Sequence, residues 1–311
     1  MIQPRLVCLG QFTIDDIVQW DGTVHMGCVG GDAVFSWFGA HLWVDDVGVV
    51  SPVGDDFPIA ELQALRDAGE GFDGIAQRSA PTIRNWVLHE RDGRRTWVLR
   101  TDPTLNYELS PRYSDIPAVY RRARAFHIAA MDMGAQDELA RLLRRNDVIV
   151  SLDPEENYVR GNEKRLAELL GKIDVFLPSA IEARQLVGHA DYARALRELA
   201  AIGPSIVAIK LGSEGAIVYE RSTELTVHVA AYPARFVDGT GAGDAFCGGF
   251  MAGLACDLSP QAAAVWATVA ASFAVEAVGW LSLLAITRAD AERRLESYKG
   301  NILVDACRSQ S

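Results

Sequence analysis

The chain has 311 residues, 49% of them hydrophobic and 23% charged, enough to bury a sizeable α/β core and unlike the composition of a disordered protein. Its formal net charge of −11 repels nucleic-acid phosphates and anionic lipid, so neither nucleic acid nor a membrane is an expected partner. Five cysteines (Cys8, Cys28, Cys247, Cys256 and Cys307) are scattered, odd in number and without a C-x-x-C pair, which fits free thiols in a reducing cytoplasm better than a disulfide framework or a zinc site.

In chain order, Arg5–Gly10 is an apolar run closed by glycine and reads as a buried strand rather than a leader peptide. Glycines at 27–31 precede a helical stretch at Ala33–Trp43, followed by a strand at Val47–Ser51 and an amphipathic helix opening on Pro58. Thr82–Glu90 and Arg94–Arg100 flank Asp92-Gly93, a strong hairpin signal because the tight turn needs positive φ at its central residues. Those strands mix Trp and Val with Arg and His, as a partly exposed sheet would. From Ala125 onward short strands (125–130, 148–152, 175–177, 206–211) alternate with helices (136–145, 163–171, 180–187, 190–201), the pattern of right-handed crossovers and a mostly parallel sheet. A hairpin at 215–229 and helices near 242–255, 260–277 and 288–298 complete the chain. The longest apolar stretch, Ala262–Val275, is too short to span a bilayer and reads as a buried helix.

The most informative segment is Asp238-Gly-Thr-Gly-Ala-Gly-Asp-Ala-Phe246. Alternate glycines let backbone N–H groups approach a ligand without Cβ interference, and a following helix start adds unpaired donors and partial positive charge. Together they form a site for a phosphate or a developing oxyanion. Asp244 within it serves either as a helix cap or as the base that takes a proton from a substrate hydroxyl, two roles that do not exclude each other. No G-x-x-x-x-G-K-[ST] loop occurs, and no G-x-G-x-x-G follows the first strand.

This segment resembles the C-terminal D-T-x-G-A-G-D signature of the PfkB, or ribokinase-like, carbohydrate kinases, whose pattern runs in order along nearly the whole chain. The resemblance implies a single α/β domain over residues 1–311: a mostly parallel central sheet with helices on both faces, plus a small β-sheet lid from about 12–28 and 82–101. It implies an ATP-dependent kinase acting on a hydroxyl of a small sugar or sugar-like molecule, with a nucleoside kinase of the same family, or an inactive ligand-binding relative, as alternatives. Asp244 maps to the catalytic base and the Gly241-Ala242-Gly243 backbone to the anion hole. Asp15, in Gly10-Gln-Phe-Thr-Ile-Asp15-Asp16, maps to the acid that grips substrate hydroxyls, with Asp16 as a solvated loop charge; Gly30 and Gly31 match the pair that lies against the substrate.

Ser179-Ala-Ile-Glu182 stands where the family has N-x-x-E, assigning Ser179 to the ATP site and Glu182 to Mg²⁺, although the same residues read equally well as a helix capping box. Lys210, Gly212 and Gly215 match the nucleotide loop, and Thr268 stands near the adenine position. In the lid Arg84, Asn85, Trp86 and Arg100 are candidates to face the substrate, whereas Arg94 and Arg95 beside the turn are expected to be solvated; no histidine is given a role. Phe35, Ser179 and Thr268 replace asparagines usual in the family. Expected cofactors are ATP and Mg²⁺, with a monovalent cation left open, and a homodimer through the lid sheets is the expected assembly.

Overall fold

The computed structural model describes residues 2–69, 71–91, 95–298 and 302–303. The strands are β1 (Leu6–Leu9), β2 (Thr13–Val18), β3 (Val24–Gly30), β4 (Val47–Val53), β5 (Gly74–Gln77), β6 (Ile83–His89) and β7 (Arg95–Leu99). They continue with β8 (Ala125–Ile128), β9 (Ile149–Leu152), β10 (Val175–Phe176), β11 (Ile206–Lys210), β12 (Ala216–Glu220), β13 (Leu225–Val229) and β14 (Ile302–Leu303). Among the described residues, ten of these form one sheet in the order β14-β13-β12-β11-β10-β9-β8-β1-β4-β5. Pairing from β5 through β11 is parallel, and the β12–β14 edge is antiparallel.

The central strands are mostly apolar, as strands covered on both faces must be, and the buried polar residues His127 and Ser151 lie 2.9 Å apart as hydrogen-bond partners; all four residues of β1 are buried. One apolar layer gathers the helices Asp32–His41, Ala242–Ala255 and Pro260–Ala274. The other gathers Met133–Leu143, Glu163–Leu170 and Tyr192–Ile202. Strand β5, four residues long, and the short helices Thr104–Glu108 and Glu156–Val159 carry too little periodicity to be anticipated. Four cysteines are free thiols, and Cys307 lies outside the described residues. No described helix is long and apolar enough to cross a membrane.

The second sheet has the order β3-β2-β6-β7. β6 and β7 pair antiparallel with His89 opposite Arg95; the Asp92-Gly93 turn and Arg94 lie outside the described residues. β7 is exposed at every position, while β6 buries Ile83, Asn85 and Val87. β2 leaves the C-terminal end of β1 after Gly10–Phe12, which brings this sheet over the end of the parallel strands where α/β folds bind ligands.

The helices Asp32–His41 and Ala242–Ala255 meet backbone to backbone. A Cβ on Gly39 would overlap the carbonyl oxygen of Ala245, and one on Gly248 would overlap that of Ser36. This contact fixes the start of the second helix relative to the sheet. Gly248→Ala is therefore expected to destabilise the fold by about 1–3 kcal/mol through overpacking. Urea unfolding checks this; a midpoint equal to that of the parent chain would show that the two helices have room to separate.

Candidate active site

The segment 238–244 is held from within and leaves its donors open. Buried Asp238 accepts the Thr240 N–H and Oγ1–H on Oδ1, both at 2.8 Å, and the N–H groups of Val237 and Asp238 bond to the Val275 carbonyl. Gly241 takes the left-handed conformation, φ 75°, and a Cβ there would overlap the ring of Phe35. Glycine is required at this turn on both counts. The Ala242 N–H reaches the Gly239 carbonyl at 3.3 Å, whereas those of Gly241 and Gly243 have no hydrogen-bond acceptor among the described residues. Asp244 follows in the first turn of the helix Ala242–Ala255, and its carboxylate accepts no hydrogen bond from another described residue. Burial and then the charge of Asp153 push its pKa up to about 6, opposed by Lys210 and Arg95.

Beside it, the ends of β9, β10 and β11 assemble a polar cluster. Asp153, one residue past β9, pairs with the ammonium of Lys210, and Cys247 Sγ–H donates to the same Asp153 oxygen at 3.4 Å. Asp153 Oδ1 is buried and has no partner among the described residues. Burial alone would favour a neutral Lys210, but Asp153 holds it charged. The Lys210 Nζ lies 3.6 Å from where a Cβ on Gly243 would sit, placing the ammonium beside the open amides. Ser179 and Glu182 form a capping box: the Ser179 N–H donates to Glu182 Oε2 at 2.6 Å, and the Glu182 N–H to Ser179 Oγ at 3.3 Å. Burial and then repulsion from Asp153 raise the Glu182 pKa to about 8.

The opposite wall belongs to β2 and β3. Asp15, 2% exposed, accepts from Asn85 Nδ2 and Thr13 Oγ1, each at 2.9 Å, and burial lifts its pKa to about 6. A Cβ on Gly30 would lie 2.7 Å from Asp15 Oδ2, and one on Gly31 (φ 102°) would strike the Gln11 carbonyl. Asp16 is not the solvated charge expected. The register shift between Asp15 and Ile17 turns it inward, where it is 5% exposed, accepts the Gly27 N–H at 2.7 Å and pairs with Arg100. Arg100 is thereby engaged within the second sheet, and Arg84 is engaged by Asp56 at 2.8 Å.

Gly215, φ 93°, is required by its turn, since a Cβ would overlap the Val229 carbonyl; Gly212, φ 61°, faces open space. Thr268 is buried with its Oγ1 unpaired among the described residues. Sequence reasoning missed Asp32, Asp153 and His89, while Arg95 is exposed, as expected beside the turn. Asp32 accepts the Gln11 N–H at 2.6 Å, and burial, then Asp244, push its pKa well up. Asp153 had a usable signal, its place directly after a buried strand. His89 Nε2 lies 3.3 Å from Asp238 Oδ1, a contact that only the fold creates.

The model of the pfkB family carbohydrate kinases matches residues 6–284. The chain belongs to that family. A cytidine kinase of Thermococcus kodakarensis is 30% identical over 252 residues, 80% of this chain and 87% of that protein. In fold, the chain is similar to a presumed ribokinase II from Escherichia coli solved with ATP and Mg²⁺ (TM-score 0.76, 20% identity, 94% of this chain and 99% of that one). It is equally similar to a Burkholderia thailandensis nucleoside kinase solved with inosine (TM-score 0.78, 17% identity, 96% and 98%). As a pfkB-family kinase, the protein is a phosphotransferase that moves the γ-phosphoryl group of ATP to a hydroxyl of a sugar or nucleoside.

In this kinase Lys210 is the charge partner that allows Asp153 and Glu182 to be buried together. Lys210→Met is expected to cost about 3–5 kcal/mol, the effect of breaking a buried pair from one side. Both carboxyls already have raised pKa values in the fold, so the variant should regain stability as pH falls below the Glu182 value of about 8 and protons neutralise them. Urea unfolding on either side of that pH checks the sign; a penalty that grows on acidification would contradict it.

Proposed function

We propose that Asp244 is the general base of this kinase and that the glycine turn before it is its anion hole. The supporting observation is the open corner itself: an unengaged carboxylate one residue from unpaired amides, at the start of a helix. The acceptor hydroxyl gives its proton to Asp244 as its oxygen attacks the γ-phosphorus in line. The N–H groups of Gly241 and Gly243, with the helix start behind them, take up charge spreading over the transferred oxygens, while Ala242 keeps the turn in shape.

The acceptor is held by Asp15 and by the bare backbone at Gly30 and Gly31. Asp15 retains lone pairs beyond those used by Asn85 and Thr13, so it can accept from substrate hydroxyls. Arg100 supports this wall through Asp16. ATP lies across Gly212–Gly215, with Lys210 toward its phosphates, Thr268 toward its base and Ser179 shaping the strand end. Asp153 and Glu182 are the residues that would hold Mg²⁺: one has an orphaned buried oxygen, and their mutual repulsion is relieved by a cation. No cluster of three or more metal-ligating side chains occurs among the described residues, which suits an ion that keeps waters and binds substrate phosphates. When bound, Mg²⁺ supplies charge neutralisation on the β- and γ-phosphates.

Residues 1–311 act as one domain whose second sheet, from about 12–28 and 82–101, is the lid that excludes water. Exposed Met26, Trp86, Trp97, Val98 and Leu99 on that lid support a homodimer through paired lids. Free thiols support a cytoplasmic location.

ADP release should be measured against ketoses, pentoses, sugar acids and nucleosides. One class is expected to be turned over, with kcat/KM falling as pH drops through about 6, because Asp244 must be unprotonated to accept a proton. Asp244→Asn should lower kcat by about 10²–10⁴-fold while MgATP binding persists. Full activity in that variant would remove Asp244 from the mechanism.

A further inference from the structure

The glycine loop is anchored from behind, at the end of a helix that lies away from the cleft. After β13 the chain runs as a strap, residues 230–236, into Asp238, and the end of this strap is tied to the residues that follow the helix Pro260–Ala274. The N–H groups of Val237 and Asp238 donate to the Val275 carbonyl at 2.7 and 3.2 Å, and the Arg235 N–H donates to Glu276 Oε1 at 3.2 Å. Asp238 and Thr240 hold the local shape of the loop; these three bonds set where the loop stands.

The other oxygen of Glu276 belongs to Arg294, on the helix Arg288–Tyr298. Arg294 Nη2 donates to Glu276 Oε2 and its Nη1 to Ser272 Oγ, each at 2.9 Å. The guanidinium carbon lies 3.7 Å from the centre of the Phe273 ring and 4.9 Å from that of Tyr232. One planar group thus joins the end of one helix, through Ser272, Phe273 and Glu276, to the strap, through Tyr232. A guanidinium suits this place because its N–H arms bond in the plane while its faces stack on rings, which a lysine ammonium cannot do. The same C-terminal helix fastens the strap twice more: the Tyr298 hydroxyl donates to the Ala230 carbonyl, and Ser297 Oγ lies 3.1 Å from the Tyr232 hydroxyl. Its neighbour Arg293 instead pairs with Asp290 within that helix and is largely exposed.

We propose that Arg294 is a positioning residue for phosphoryl transfer: through Glu276 it locks the end of the helix Pro260–Ala274 to the strap and so sets where the Gly241 and Gly243 amides stand. This rests on the reading of that turn as the anion hole. Those two N–H groups have no acceptor among the described residues, so their aim is inherited from the anchor of the loop. Donors that stabilise charge in flight must be in place before the reaction. A displacement of about 1 Å is enough to cost about 100-fold in rate even when it starts far from the chemistry. Nucleotide and acceptor, each held by contacts elsewhere in the cleft, bind before that charge develops, so the loss falls on kcat.

The test compares the parent chain with Arg294→Gln, Arg294→Lys and Glu276→Gln, and with Arg293→Gln as a control on the same helix, on the acceptor turned over by the parent. Arg294→Gln is expected to lower kcat about 10–100-fold, with KM for MgATP and acceptor held within about twofold. Arg294→Lys, which keeps one arm toward Glu276, should recover part of that rate, and Arg293→Gln should match the parent. Combining Arg294→Gln with Glu276→Gln should cost no more than the worse single variant, because both break the same link. Each protein is assayed below its thermal midpoint, and if Arg294→Gln does not fold, Arg294→Lys and Glu276→Gln carry the same comparison. A kcat equal to that of the parent, a loss confined to KM, or losses that multiply in the double variant would each overturn the proposal. A binding arm needs no turnover. Arg294→Gln should weaken MgADP with aluminium fluoride and acceptor by the factor lost from kcat, while MgADP alone binds as in the parent; equal weakening of both would overturn the role of Arg294. A parent chain whose own MgADP affinity is not raised by aluminium fluoride and acceptor would instead overturn the anion-hole reading.

Discussion

Phe35 packs so closely on the backbone at Gly241 that no side chain fits there, and the chain must turn left-handed before it can enter the helix Ala242–Ala255. That turn leaves the N–H groups of Gly241 and Gly243 without an acceptor among the described residues and sets Asp244 in the first turn of the helix. Its position is in turn fixed by the backbone contact of the same helix with Asp32–His41 through Gly39 and Gly248. The asparagine usual in the family near position 35 is absent, and the phenylalanine in its place contributes shape rather than a hydrogen bond. What it secures is the left-handed turn at Gly241.

Electrostatics follows from that geometry. Asp32, Asp153, Glu155, Glu182 and Asp244 are crowded at the strand ends, and burial raises the pKa of each. Lys210 is the buried cation among them. A site with a surplus of carboxyls looks hostile to a polyanion, yet it suits a nucleotide that arrives with its own metal ion. Burial, and then the charge of Asp153, raise the Asp244 pKa to about 6, which suits the proton-accepting role proposed for it.

Much of this was readable from local pattern. The glycine loop, the alternation of apolar strands with helices after Ala125, and the hairpin strands around 83–99 announce themselves because each depends on residues close in sequence. The capping reading of Ser179 and Glu182 was equally local, and it is met in the fold without excluding a place for Glu182 near a metal. Asp153 and Lys210 are 57 positions apart, and nothing in either neighbourhood predicts their pairing. His89 likewise gains meaning only when β6 is laid over the loop that begins at Asp238. Asp16 looked like a loop charge because a bulge, which no local pattern marks, turns it inward.

The most direct measurement is a crystal structure of the protein with MgADP, its acceptor and aluminium fluoride standing in for the phosphoryl group in flight. The fluoride atoms should lie within hydrogen-bonding distance of the Gly241 and Gly243 N–H groups, with the acceptor oxygen on Asp244. A complex in which those amides point elsewhere, or in which the Asp244 carboxylate faces away from the acceptor, would contradict the assignment of this corner as the reaction centre.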